Sequence, residues 1–362
     1  MPSHTRGAGR PVGIRDVARA AGVSVATASL ALNEQPGVAA ATRSRIIAAA
    51  RQLGYHANPQ AQALRTGRST TYGLIVRNFA NPFFLGVLSG AQEVAAETGA
   101  TLLVLDSGYS PEREREHVRE MAAQRLAGLA IASAGEGESI RLWQDARPGA
   151  PVVALNSAAA GIEGVCRVRP DDAAAVELPM RRLAELGHVR VGFLAAPQSL
   201  MADPDRLRHF RRLAAELSLD PLVLHTQLTI ADVQQAAAQV LAQPGAPTAI
   251  ITNSDYTAHA VYKAAREIGR VIGPGVSVIG HDDLPTSELL DPPLATVAMD
   301  LRAMGRALME RLLGRVPPGD YTAPVELVER ASLAAPETPR TSRLTCPDER
   351  RDSQGRQLRN VP

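Results

Sequence analysis

From Tyr72 onward the sequence alternates between short apolar runs and amphipathic stretches, and this alternation constrains the fold more than any other feature. YGLIV, TLLVL, GLAIA, PVVAL, VRVGFL, LVLH, TAIIT and VSVIG are strand candidates, with helical patterns between most of them. Two helix starts are explicit, at Asn81-Pro82 and at Ser110-Pro111-Glu112. In each, a polar capping residue precedes a proline that is tolerated in the first turn. Strands alternating with helices form a parallel sheet, because each crossover lays a helix on one face. Such sheets take ligands in the crevice beyond the carboxyl ends of their strands. About 260 residues of this pattern are generous for one sheet and suit two lobes with a cleft between them. The expected core is 70–335, with lobe 1 at about 70–161 and 295–320 and lobe 2 at about 162–291 and 322–335.

The first 68 residues are of another kind. They hold nine arginines against Asp16 and Glu34, a net of +7, so the remaining chain carries −5 of the total of +2. A basic head on an acidic body suits a nucleic-acid partner; the bland alternative is a solvated basic tail. Residues 1–12 are small, polar and proline-containing, and are expected to be disordered. Over 13–57 three short helical patterns follow, Ile14–Ala21, Val25–Leu32 and Thr42–Leu53. Gly22-Val23-Ser24 separates the first two, with Ser24 placed as N-cap of the second. Ile14, Val17, Ala18, Ala21, Val23, Ala28, Leu32, Ile46, Ile47 and Leu53 can close a small core. Ala18 and Ala21 allow two helices to approach closely, and Gly22 allows the sharp turn that a helix-turn-helix needs.

Between head and core lies NPQAQALRTGRS, at 58–69. Asn58 is a good N-cap and Pro59 a good first helical residue, but the pattern ends near Leu64 or Arg65. That is well short of the roughly 12–15 residues needed to persist alone in water, so this linker should fold only against a partner. The polar, proline-rich segment 336–362 reads as a disordered tail without heptads.

The bulk properties exclude several classes. Hydrophobic residues at 45% and charged residues at 21% are those of a soluble globular protein. No run approaches the ~18 apolar residues of a membrane span. The start, MPSHTRGAGRPVGIRD, has no apolar signal region, so a cytoplasmic, nucleoid-associated protein with no membrane partner is expected. Cys166 and Cys346 are far apart and the eight histidines scattered, so neither a metal nor a cofactor is implied. No GxGxxG opening a helix, Walker loop, GxSxG or closely spaced Cys–His pair marks an enzyme.

Taken together, IRDVARAAGVSVATASLALN, TRSRIIAAARQLGYHANPQAQALRTGRS and YGLIVRNFANPFF resemble the N-terminal half of LacI/GalR-type transcriptional regulators. GHVRVGFL, DRLRHF, SDYTAHAVYKAAREIG, PGVSVIGHDD and PPLATVAMDLRAMG resemble that family's effector-binding half, in order and spacing. The resemblance runs from Val12 to about Ser332. It implies a homodimer with an all-α helix-turn-helix head, a hinge helix and an α/β core of two doubly wound parallel sheets, like periplasmic sugar-binding proteins. Such a protein binds a pseudo-palindromic operator in duplex DNA under the control of a small molecule, such as a sugar, held between the lobes.

Matched position by position, the resemblance implies that Ser24, Thr27 and Asn33 hold phosphates, with Tyr55, Asn58 and Ala61 near the hinge. Contacts of the phosphate kind set register without carrying sequence information. Leu64 falls where the family inserts an apolar wedge into the minor groove; the alternative is an ordinary hinge contact. This sequence departs from the pattern at Val25, Ala26 and Leu30, where base-reading polar groups are common. Bidentate contacts to guanine or adenine are excluded there, leaving contact with thymine methyls. Gly13 and Ala39 replace the usual caps of the first and third helices, each at a cost of about 0.5–1 kcal/mol, less for glycine.

In the core, the resemblance places Arg206, Asp255, Asp282 and Asn156 in the cleft, with Phe83 offering an aromatic face. Asp255 and Asp282 also follow the strand candidates TAIIT and VSVIG, where a crevice site needs polar groups. The bland alternatives are a solvated Arg206, a loop-capping role for one of Asp282 and Asp283, and a turn closed by Asn156. Ser254 and His281 depart from the common Asn and from the common Phe or Tyr, so no particular sugar transfers. Trp143 reads as a packing residue. The competing functions on the same core are a periplasmic-type solute receptor and a sugar-modifying enzyme.

Overall fold

In the computed structural model, the described residues are 12–33, 35–55, 69–156, 161–197 and 204–337. Three helices make the head: α1 (Ile14–Ala20), α2 (Val25–Leu32) and α3 (Ala40–Gln52). The third starts two residues earlier than its sequence pattern, without a side-chain cap at Ala39. At the other suspect cap, Asp16 reaches back and accepts the Gly13 N–H at 2.9 Å, which replaces part of what a hydroxyl would supply. Gly22 turns the chain between α1 and α2 with φ of +62°, a conformation that glycine adopts without a Cβ penalty. Val17, Ala18, Ala21, Ala28, Ala31, Ile46, Ala49 and Ala50 form the head core. Ile47 and Leu53, expected in that core, remain outside it: Ile47 is half-buried and Leu53 exposed. Small alanines take their place and bring the helices close.

The first sheet contains β1 (Thr71–Val76), β2 (Thr101–Asp106), β3 (Leu129–Ile131), β4 (Val152–Leu155), β5 (Val165–Pro170) and β11 (Tyr321–Ala323). Its order is β11-β5-β4-β3-β1-β2, with every pair parallel. Alternation along β1 divides its side chains between two cores. Leu74 and Val76 pack with α4 (Phe83–Thr98) and α11 (Leu301–Leu312), while Ile75 packs with α5 (Pro111–Ala123) and α6 (Glu138–Ala146). Trp143 is fully buried in that second core, as a packing residue should be. Helices α4 and α11 approach through glycines: a Cβ on Gly90 would strike the backbone of Arg302, and one on Gly305 the carbonyl of Val87.

The second sheet has the order β12-β10-β9-β8-β6-β7. Its strands are β6 (Arg190–Ala195), β7 (Asp220–His225), β8 (Ala249–Ile251), β9 (Ser277–Asp282), β10 (Ala295–Met299) and β12 (Val325–Val328). Helices α7 (Asp172–Glu185) and α8 (Pro204–Glu216) cover one face, where Phe193 stacks on Phe210 with ring centroids 4.8 Å apart. Helices α9 (Ile230–Leu241) and α10 (Asp255–Glu267) cover the other.

Three boundaries differ from the sequence reading. β5 belongs to the first sheet, so the chain passes to the second only after Pro170, not near residue 162. β10 pairs with β9, so the return follows Met299, not residue 295. The last passage falls between β11 and β12. The start of the expected tail is also pinned, since the Glu337 N–H donates to the Pro274 carbonyl at 3.0 Å.

Candidate functional site

The head presents its second helix outward. Ser24 caps α2: its Oγ accepts the Thr27 N–H at 3.0 Å and exchanges a hydrogen bond with Thr27 Oγ1 at 2.9 Å. The cap fixes the first turn, and with Ala28 and Ala31 buried in the head core the opposite face looks outward. On that face Val25 is 43% exposed, Leu30 41%, and Ala26 is exposed as well. Asn33 donates through Nδ2 to the Ser29 carbonyl at 2.6 Å, and Tyr55 packs partly against the head core. Asn58, Ala61 and Leu64 lie outside the described residues. One head arginine is structural. Arg43 donates to the carbonyls of Ala31 and Gln35 at 3.1 and 2.6 Å, tying α3 to the end of α2.

In the first sheet, polar groups converge where the strand order reverses, between β1 and β3. Arg77, directly after β1, is only 4% exposed. Its Nη1 donates to the Asn156 carbonyl at 2.9 Å and to the Ser133 carbonyl at 3.4 Å. Asn156, directly after β4, has φ of +42°, a left-handed conformation uncommon outside glycine. That twist delivers its carbonyl to Arg77, and its side chain is half-buried. Glu114 reaches the same place from α5, accepting from Ser133 Oγ at 2.8 Å and from the Ala134 N–H at 2.7 Å. Arg77 and Glu114 were not singled out in the sequence. An arginine immediately after the apolar run Leu74-Ile75-Val76 was the available signal for the first; the second has no local signature.

Arg206 is buried, not solvated, and its Nε lies 3.4 Å from Asp172 Oδ1 at the start of α7. Arg169 adds to this charged cluster, 3.3 Å from Asp205 and 3.9 Å from Asp172. Phe83 offers no aromatic face. It is buried in the core of the first sheet and meets Phe84 edge-on at 5.1 Å, while Phe79 is the exposed ring of this segment.

In the second unit the two acidic positions part company. Asp255 is fully buried at the start of α10. One of its oxygens accepts from the Leu284 N–H at 2.8 Å and Ser287 Oγ at 2.6 Å, the other from Thr296 Oγ1 at 2.6 Å. A Cβ on Gly280 would collide with this carboxylate, so the glycine makes room for it. Asp255 thus ties α10 to β10 and to the loop after β9, and presents no surface to a ligand. Burial pushes its carboxyl up to about 6, against the three hydrogen bonds that hold the ionised form. Asp282 and Asp283, at the end of β9, have positive φ of +117° and +52°. Asp283 is the structural one, accepting from Arg330 Nη2 at 2.8 Å. Asp282 is buried, with Oδ1 2.9 Å from His281 Nδ1.

Helical heads of this kind enter the groove of duplex DNA, and doubly wound units of this kind hold small molecules beyond their strand ends. One chain with both is a ligand-responsive DNA-binding protein. Its relatives make the family explicit. Residues 13–58 match the bacterial regulatory proteins of the lacI family, and 69–358 match the periplasmic binding proteins and sugar binding domain of the LacI family. The HTH-type transcriptional regulator GalR of Salmonella typhimurium strain LT2 is 30% identical over 333 residues, 89% of this chain and 96% of GalR. The ribose operon repressor of Bacillus subtilis strain 168 is 32% identical over 302 residues, 83% of this chain and 90% of the repressor. The crystal structure of the lac repressor dimer bound to operator and the anti-inducer ONPF is similar with a TM-score of 0.79 at 28% identity, covering 90% of this chain and all of that one. The chain belongs to the LacI family of transcriptional regulators, and these relatives are regulators, not enzymes. Among the described residues no helix is long and apolar enough to cross a membrane.

Proposed function

We propose that this regulator is a cytoplasmic homodimeric repressor whose operator affinity is set by a sugar-sized effector. The observation that carries the DNA half is the capped, outward face of α2, where Val25, Ala26 and Leu30 stand exposed beside Ser24 and Thr27. The hydroxyls hold phosphates while the apolar trio lies against base edges and favours thymine methyls. In this reading Asn33 also holds a phosphate, and Tyr55 approaches the DNA backbone near the hinge. Asn58, Ala61 and Leu64 complete the DNA-facing surface in the hinge, with Leu64 as the minor-groove wedge. A lac repressor dimer bound to operator, among similar structures, supports both the dimer and the DNA partner.

For the effector, the retained polar candidates are Asn156, Arg206 and Asp282, each at or near a strand end or in a buried charge cluster. The effector couples to DNA because it binds one arrangement of the core better than another, which typically supplies ~1–3 kcal/mol. The hinge, too short to persist alone, transmits it by folding or melting.

The test is titration of an operator complex with effector. In the Arg206→Ala variant the effector concentration needed for half response rises at least about tenfold, as loss of a charged hydrogen-bonding group implies. An unchanged dose–response curve would remove Arg206 from the site.

A further inference from the structure

Arg77 is buried with three of its five N–H donors unused. Its Nη1 serves the carbonyls of Asn156 and Ser133, but its buried Nε–H has no partner. Nη2 likewise donates to nothing among the described residues, so the side-on fork formed by Nε–H and Nη2–H is open. No ion pair neutralises the guanidinium among those residues. Glu114 is held by Ser133 Oγ and the Ala134 N–H, and Asp106 by the backbone N–H groups of Phe79 and Gly108, and neither pairs with the guanidinium. A buried cation without a carboxylate is costly unless something else brings the negative charge. The place is the reversal of strand order between β1 and β3, where a ligand is expected in such a sheet.

We infer that the effector of this regulator is an anion: a sugar-sized molecule whose carboxylate or phosphate ester is gripped by the Arg77 fork. A planar guanidinium fork matches two oxygens of either group with two parallel N–H···O bonds, whereas a sugar hydroxyl supplies one. Asn156 serves twice, its twisted backbone holding Arg77 through the carbonyl and its side chain serving a neighbouring hydroxyl. The inference rests on the core being the effector-binding part and adds the charge of what it binds.

The experiment is thermal unfolding of the full chain in D-gluconate, D-ribose 5-phosphate and inorganic phosphate, against D-ribose, D-galactose and chloride at matched ionic strength. At least one anionic probe is expected to raise the wild-type melting temperature by about 3 °C beyond chloride. Gluconate and ribose 5-phosphate together tell carboxylate from phosphate. The shift should vanish in Arg77→Gln. In Arg77→Lys, which keeps the charge but loses the fork, the same shift should need about ten times more probe. The inference is overturned if no anion exceeds chloride on the wild type, or if the shift survives in Arg77→Gln. The wild-type comparison decides even if the Gln variant does not fold. A neutral sugar that alters operator binding equally in wild type and Arg77→Gln would leave the effector reading standing and remove this one.

Discussion

Leu30 stands where family members commonly carry a polar base reader, and it is exposed on the outward face of α2. Replacing it with Arg should introduce a preference for guanine at one half-site position, worth about 1–3 kcal/mol of discrimination. Binding to a set of half-site variants measures this, and an unchanged base preference would mean that Leu30 does not face the groove. Asp255 is the opposite case, a carboxylate wholly inside the protein. Its folded-state value of about 6 lies above the ordinary 3.8, so between those values the folded protein holds a proton that the unfolded chain has released. The contribution to stability is therefore complete below about pH 4 and is lost as pH rises through 6. Relative to Asp255→Asn, the wild type should lose about 2 kcal/mol between pH 4 and pH 7 by urea unfolding. Parallel pH profiles would show a carboxyl of ordinary acidity. Nothing in SDYTA distinguishes this buried anchor from a ligand-binding acid, because the difference lies in Leu284, Ser287 and Thr296, far along the chain. Phe83 misled for a similar reason: it follows the Asn81-Pro82 helix start in a loop beyond a strand end, but its neighbours in space are the apolar face of the first sheet.

At the scale of elements, the eight strands with dense apolar runs were legible, and their order along the chain pointed to the parallel class. Four were missed, three of them for one cause. β5 places Arg167 and Arg169 in its short run, and β11 and β12 are three and four residues long with polar members. Such strands are recruited by their neighbours more than by their own pattern. β10, ATVAM, is apolar enough but lies directly before α11, where helix and strand patterns merge. Those strands also set the points at which the chain passes from one sheet to the other, so the lobe boundaries were displaced with them. The contact of α4 with α11 was equally invisible, since only the fold brings Gly90 and Gly305 into register against facing backbone. Gly90→Ala should force these helices apart and lower stability by about 1–3 kcal/mol, or more if the backbone cannot yield. Thermal unfolding of the variant checks it; an unchanged melting temperature would mean that the helices separate freely.

At the scale of the molecule, a basic head is the reader and an acidic core the sensor. The charge asymmetry was plain in composition, +7 in the first 68 residues, and the head's fold followed from spacing alone. Its chemistry did not, because a recognition helix without long polar side chains looks unable to recognise anything. Under the proposed reading, the exposed Val25, Ala26 and Leu30 beside the Ser24–Thr27 cap would give it a way, though one limited to methyl contacts. Specificity must then lean on the deformability of the central base step and on half-site spacing. The most direct measurement is selection of binding sites by the full chain from a random duplex pool, repeated at 50 and 200 mM salt. A two-fold symmetric site should emerge, with thymine-rich positions in each half and a flexible pyrimidine–purine step at its centre. Its affinity should fall roughly 10³–10⁵-fold between the two salt concentrations if six to ten phosphates are contacted. A pool with no enriched sequence, or binding indifferent to salt, would contradict the central claim.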